Sequence, residues 1–205
     1  KPNEYVIFGA HLDSWDGPGS QGACDNGTGT TAVMEAARIL AKFNIKPKRT
    51  IRFILFGGEE EGLLGSMAYV KDHEKELDKI SAIFVDDSGT NYDSGFMCTE
   101  NAGKLLLAAA EPIKDTDKAF EFKITTYQPS ETTGRRRGGG GGSDHASFQA
   151  KGVPAFFMRK TGDANYMEIW HTQNDNFDRV NVKNVGRSAL VFAILGYNLA
   201  CADGL

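Results

Sequence analysis

Thr50-Ile-Arg-Phe-Ile-Leu-Phe-Gly-Gly-Glu-Glu-Glu61 decides the fold. Ile51, Phe53 and Leu55 recur at the two-residue period of a strand, and Gly57-Gly58 turns the chain just before three glutamates. The pair Glu59-Glu60 therefore stands at the carboxyl edge of a strand. Working outward, the same arrangement repeats. Upstream, the apolar run Tyr5-Val-Ile-Phe-Gly-Ala leads into His11-Leu-Asp13. Downstream, Ile80-Ser-Ala-Ile-Phe-Val leads into Asp86-Asp87.

Helical spacing fills the gaps between these runs. Residues 28–43 carry Val33, Ala36, Ala37, Leu40 and Phe43 near a 3.6-residue period. Residues 63–73 suit a short helix, 95–98 a short strand, 101–111 a helix and 120–127 an alternating strand. Ser143-Asp144-His145 reads as the opening of a helix running to Ala150. Residues 153–158 follow Gly152 as a strand, and 181–202 form a long closing helix. Strand-helix alternation of this kind predicts an α/β fold: a doubly wound, mostly parallel central sheet with helices on both faces. Such sheets bind ligands beyond the carboxyl ends of their strands. That rule gathers His11, Glu59-Glu60, Asp86-Asp87 and His171 on one rim.

The chain of 205 residues is 40% hydrophobic and 24% charged, which suits a single domain over residues 1–205 with a full core. A net charge of −4 argues against a nucleic-acid partner. No apolar run approaches the roughly 18 residues that a membrane span needs. Cys24, Cys98 and Cys201 are too few and too scattered for a disulfide scaffold or a cysteine-rich zinc knot. Thr133 to Ser143 contains Arg135-Arg136-Arg137 and a run of glycines, and is expected to be a flexible loop, solvated or reaching a substrate carboxylate.

Taken singly, the acidic and histidine motifs are weak. His-X-Asp is often a surface pair, Glu59-Glu60-Glu61 a solvated turn, and Asp86-Asp87 a helix cap. As an ordered set at strand ends they form a metal-site inventory, because carboxylates crowded together repel strongly without a cation. Oxygen and imidazole donors suit zinc in a hydrolytic site, or manganese or cobalt. His11 would bind one ion, and Asp13 would hold the other imidazole N–H. Asp25, between Gly22 and Gly27, would bridge two ions. Glu60 would bind the second ion, leaving Glu59 free to take a proton from water.

His11-Leu-Asp-Ser, Gly22-Ala-Cys-Asp-Asn-Gly-Thr-Gly, Gly58-Glu-Glu-Glu-Gly-Leu-Leu-Gly-Ser, Ser143-Asp-His-Ala-Ser-Phe, Gly152-Val-Pro-Ala and His171-Thr occur in that order. Together they resemble the di-zinc exopeptidases of the M28 peptidase family, across nearly the whole chain. His11-Leu-Asp-Ser-Trp-Asp leans toward the carboxypeptidase Q branch. The resemblance implies two zinc ions per chain on the zinc-exopeptidase fold. His11 would be a ligand of one ion, Asp25 the bridge, Glu60 and His171 ligands of the other, and Glu59 the general base. The remaining ligand is Asp86 or Asp87. The Asp-X-Gly-Thr pattern at Asp87-Ser-Gly-Thr favours Asp87, as does its alternation with Ile83 and Val85. Asp144, His145 and Tyr166 would lie beside the substrate, with a helix cap as the structural reading of Asp144, and Asp175 would support the ligands.

The implied activity is hydrolysis of the N-terminal residue of a peptide or dipeptide. The acidic rim would welcome a substrate amine and disfavour a free carboxylate. Two other readings use the same scaffold: a single-zinc glutaminyl cyclase and a binding module without catalysis. Relatives carry a further N-terminal strand and helix before the His-X-Asp strand, so this chain is expected to be the C-terminal catalytic portion of a longer protein. The family implies a secreted or periplasmic setting. The sequence leaves the oligomeric state open.

Overall fold

The computed structural model describes residues 1–119, 121–128 and 142–203. Of the glycine- and arginine-rich stretch, only Gly142 and Ser143 fall among them; the rest, with Arg135 to Arg137, lies outside the described residues.

Tyr5–His11 forms β1, and every residue in it is buried. An unbroken apolar run is what a parallel strand covered on both faces requires. The chain then forms α1 (Gly27–Lys42), β2 (Thr50–Phe56), α2 (Leu64–Asp72) and β3 (Ile80–Val85). It continues as β4 (Tyr92–Thr99), α3 (Glu100–Ala110), β5 (Lys123–Tyr127) and α4 (His145–Gln149), and closes with β6 (Ala155–Phe157), β7 (Arg159–Thr161) and α5 (Val182–Cys201). The central sheet is parallel throughout, in the order β2-β1-β3-β6. The chain winds from β1 outward to β2, then returns to place β3 on the other side of β1. The topological switch point thus falls between β1 and β3, where a doubly wound sheet binds ligands.

Side chains alternate between two cores. Val6, Phe8, Phe84, Val33 and Phe192 pack on the face covered by α1 and α5. Ile7, Ile83, Val85, Val70 and Phe148 pack on the face covered by α2 and α4. Strand β2 lies at the sheet's end and is only partly buried, which explains its visible alternation in sequence.

The strand foreseen over 153–158 is present as β6, paired with β3. After buried Met158 the chain crosses to a strand that was not foreseen, β7, which pairs antiparallel with β4. Strands β5, β4 and β7 therefore form a second, three-stranded sheet beside the parallel one. Among the described residues, no helix is long and apolar enough to cross a membrane.

Candidate metal centre

The switch point holds the site. His11 closes β1, and its Nε2 lies 3.2 Å from Asp25 Oδ1 and 3.6 Å from Asp87 Oδ1. On the other side of Asp25, Glu60 Oε2 lies 2.8 Å from His171 Nε2. Among the described residues two groups of potential metal-binding atoms result, His11-Asp25-Asp87 and Asp25-Glu60-His171, the atoms of each group lying within 4.8 Å of one another, and Asp25 belongs to both. Glu59 belongs to neither group and is buried beside them.

Local structure explains each position. Asn26 caps α1: its side-chain oxygen accepts from the Gly29 amide at 3.1 Å, and its Nδ2 donates to the Asp86 carbonyl at 2.7 Å. Thr30 donates to the His11 carbonyl at 2.7 Å. The first turn of α1 is thus fastened to the ends of β1 and β3, with Asp25 just ahead of it. Gly29 permits this approach, since a Cβ there would sit 2.7 Å from the Asp86 carbonyl oxygen. Asp175 fixes the loop before Asp25, its carboxylate accepting from the Cys24 amide at 2.6 Å and the Asp25 amide at 3.0 Å. Gly58, at φ +68°, turns β2 into Glu59 and Glu60.

Asp13 acts differently from the sequence expectation. The Nδ1 of His11 bonds to the Asp13 backbone carbonyl at 3.0 Å, and the carboxylate stands 3.7 Å away. Asp13 Oδ2 instead accepts from the Glu60 amide at 3.1 Å. The side chain holds the Glu60 turn, and the backbone fixes the imidazole.

Asp144 and His145, foreseen beside the substrate, are 0% and 2% exposed, so neither offers a surface to a bound peptide. Asp144 also makes no side-chain capping bond to α4. Both face the site from within: Asp144 acts electrostatically on Glu59, and Asp87 acts on His145. Tyr166 reaches the centre directly, its hydroxyl donating to Asp25 Oδ2 at 3.0 Å. Asp86 points away, into an ion cluster with Lys160 and Asp93.

Sequence reasoning missed two residues here. Trp15 stacks on His171 with ring centroids 4.2 Å apart and planes within 7°, and Trp170 stacks on it at 4.2 Å and 30°. The only sequence signals were the aromatic residue in Ser14-Trp15-Asp16 and the Trp170-His171 dipeptide.

The electrostatics are those of a site crowded with buried carboxylates. Burial lowers the pKa of His11, but hydrogen bonds and charges from Asp25 and Asp87 outweigh it and raise the imidazole to about 11. Burial, then the charge of Asp87, pushes Glu59 up to about 8. Burial and the charge of Asp25 raise Glu60 as well. Glu60 Oε1 is buried without a hydrogen-bond partner among the described residues. The raised carboxyls mark a cluster short of positive charge, and the oxygen-rich donor set with one imidazole per group fits zinc.

The same chemistry emerges from comparison with known proteins. The family model for peptidase family M28 matches residues 1–195. The chain belongs to peptidase family M28. Carboxypeptidase Q of Mus musculus is 29% identical to this M28 chain over 205 residues, covering 98% of it and 40% of the mouse protein. The crystal structure of a peptidase M28 precursor from Shewanella amazonensis SB2B matches with a TM-score of 0.79 at 31% identity, over 98% of this chain and 42% of that one. The zinc aminopeptidase BSAP from Bacillus subtilis matches with a TM-score of 0.71 at 26% identity, over 96% of this chain and 46% of that one. The M28 chain spans about 40% of the length of the curated relatives it matches.

Proposed function

We propose that this chain carries the catalytic centre of a two-zinc exopeptidase that removes the N-terminal residue of peptides or dipeptides. One observation supports this most: two three-residue ligand groups share Asp25, with the carboxyl of Glu59 beside them and outside both. His11 and Asp87 would hold one ion, Glu60 and His171 the other, and Asp25 both. Two ligand groups favour this reading over a single-zinc cyclase on the same fold. When bound, zinc would supply a water of lowered pKa and Lewis-acid polarisation of the scissile carbonyl.

Glu59 accepts the proton given up by the attacking water and passes it to the departing amine nitrogen. Burial and the charge of Asp87 raise its carboxyl, and added positive charge beside it would lower it into the range where a base works near neutrality. Asp13 fixes the backbone at Glu60, so Glu59 and Glu60 keep separate directions. Tyr166 donates its hydroxyl to Asp25 Oδ2, which puts it at the edge of the cluster, where turning that proton to the substrate oxygen would offset the charge that develops there. Asp25, Glu59, Glu60 and Asp87 surround the reacting bond with acid, which suits a substrate amine and opposes a C-terminal carboxylate.

The test compares a dipeptide with its N-acetylated form and its C-terminal amide. N-acetylation should remove hydrolysis and amidation should be tolerated. Cleavage of the acetylated substrate but not the amide would make the enzyme a carboxypeptidase.

A further inference from the structure

The two histidines of the site are held in different ways. His11 is buried, and its Nδ1 is fixed by the Asp13 carbonyl. His171 has a side chain 26% exposed, and among the described residues its ring bonds only to Glu60, through Nε2. A histidine that serves as a metal ligand ordinarily has its second nitrogen anchored, because that bond sets the ring orientation. His171 also adopts φ +56°, a left-handed conformation that disfavours residues other than glycine. The ring orientation needs support beyond the Glu60 bond itself.

We propose that Trp15 and Trp170 are positioning residues that clamp the His171 imidazole from both faces and so build the second metal position. Trp15 and Trp170 each stack on the imidazole with a ring centroid 4.2 Å from it, and the clamp assigns them to its opposite faces. Stacking of this kind blocks rotation of the ring about its Cβ–Cγ bond, and with the ring plane fixed Nε2 stays directed at Glu60. The loop is shaped to hold the first indole. Gly17 lies against it, and a Cβ there would sit 2.7 Å from Trp15 Cδ1 and Nε1. The proposal rests on the two-zinc reading of the site.

Trp15 and Trp170 are the chain's two tryptophans, so intrinsic tryptophan emission reports on this clamp alone. The experiment titrates the metal-free 205-residue chain with zinc, following bound metal by calorimetry and elemental analysis and emission by fluorescence. Wild type should bind two ions, with an emission change that survives His11→Ala and vanishes in His171→Ala. Trp15→Ala should keep one ion at wild-type affinity and weaken the other by about tenfold or more, the usual cost of losing a ligand's support. Trp15→Phe, which restores a stacking ring, should recover most of that loss. If Trp15→Ala and Trp170→Ala bind two ions as tightly as wild type, with circular dichroism showing both folded, the clamp is overturned. If Trp15→Phe is as weak as Trp15→Ala, stacking is overturned as the cause. A wild-type chain that binds fewer than two ions overturns the metal reading itself and this inference with it.

Discussion

Asp86 and Asp87 are neighbours at the end of β3, both buried, and they lead opposite lives. The pleat sends Asp86 to the side of Phe84, toward β4 and β7, where Lys160 pairs with it and lies 3.1 Å from Asp93. Asp87 takes the side of Ile83 and Val85 and faces His11 and the shared Asp25. On the first side the chain supplies its own ammonium group, and the side chains of Lys160, Asp86 and Asp93 are 6%, 0% and 0% exposed. On the second side, among the described residues, no lysine or arginine pairs with Asp25, Glu60 or Asp87. A buried acidic cluster with a built-in cation is closed. One whose acids have no lysine or arginine partner is arranged to take a cation from solution.

The largest effect expected is on the closed side. Lys160→Met leaves two buried carboxylates without their ammonium partner and should cost about 3–5 kcal/mol of stability. Urea unfolding measures it. Adding Asp86→Asn should recover part of the loss by removing one of the stranded charges. A Lys160→Met chain as stable as wild type would mean that the triad is not a closed charge cluster, and the contrast would fail.

Next comes the metal itself. Asp87→Ala should lower zinc content from two ions to one and cut turnover by about a hundredfold or more, since outer supports alone are worth 10–100-fold. Asp86→Ala should retain two ions. A structure with zinc on Asp86 would reverse the assignment. Glu59→Gln then separates base from ligand: turnover should fall by about a hundredfold or more while zinc stays at two. Loss of an ion in Glu59→Gln would make Glu59 a ligand.

Much of this contrast is legible in the amino-acid sequence. β1, β2 and β3 announce themselves by apolar runs ending in charged residues, and a doubly wound sheet brings such ends together. Alternation along Ile83, Val85 and Asp87 separates the two aspartates, though strand twist weakens that argument at a strand end. The closed side is not legible. Lys160 follows Arg159 in a short polar segment that reads as exposed, and only the crossover at Met158 carries it between Asp86 and Asp93. The aromatic clamp is hidden for a similar reason. Trp15 and His171 are distant in sequence, and stacking leaves no periodic trace. The Asp13 bond escapes the sequence because a residue's type says nothing about whether its backbone or its side chain will act.

The smallest expected effect tests how far charge is felt across the open side. Asp144 is fully buried. Burial pushes it up to about 6, against the opposing pull of a hydrogen bond from Ser66 and the charge of His11. Its negative charge raises Glu59, behind the larger contributions of burial and Asp87. Asp144→Asn keeps the volume and removes the charge, so the pKa of Glu59 should fall. A general base works when deprotonated, and the acid limb of the rate profile should therefore move to lower pH. Burial and Asp87 remain, so the displacement should be well under one pH unit. Bound zinc lowers Glu59 further but does not change this sign. Asp93→Asn removes an equally buried carboxylate from the closed side, where Lys160 already compensates it, and should leave the limb in place. Profiles of kcat/KM against pH for the two variants measure the difference. An unmoved limb in Asp144→Asn, or an equal shift in Asp93→Asn, would show that the two sides are not electrostatically distinct.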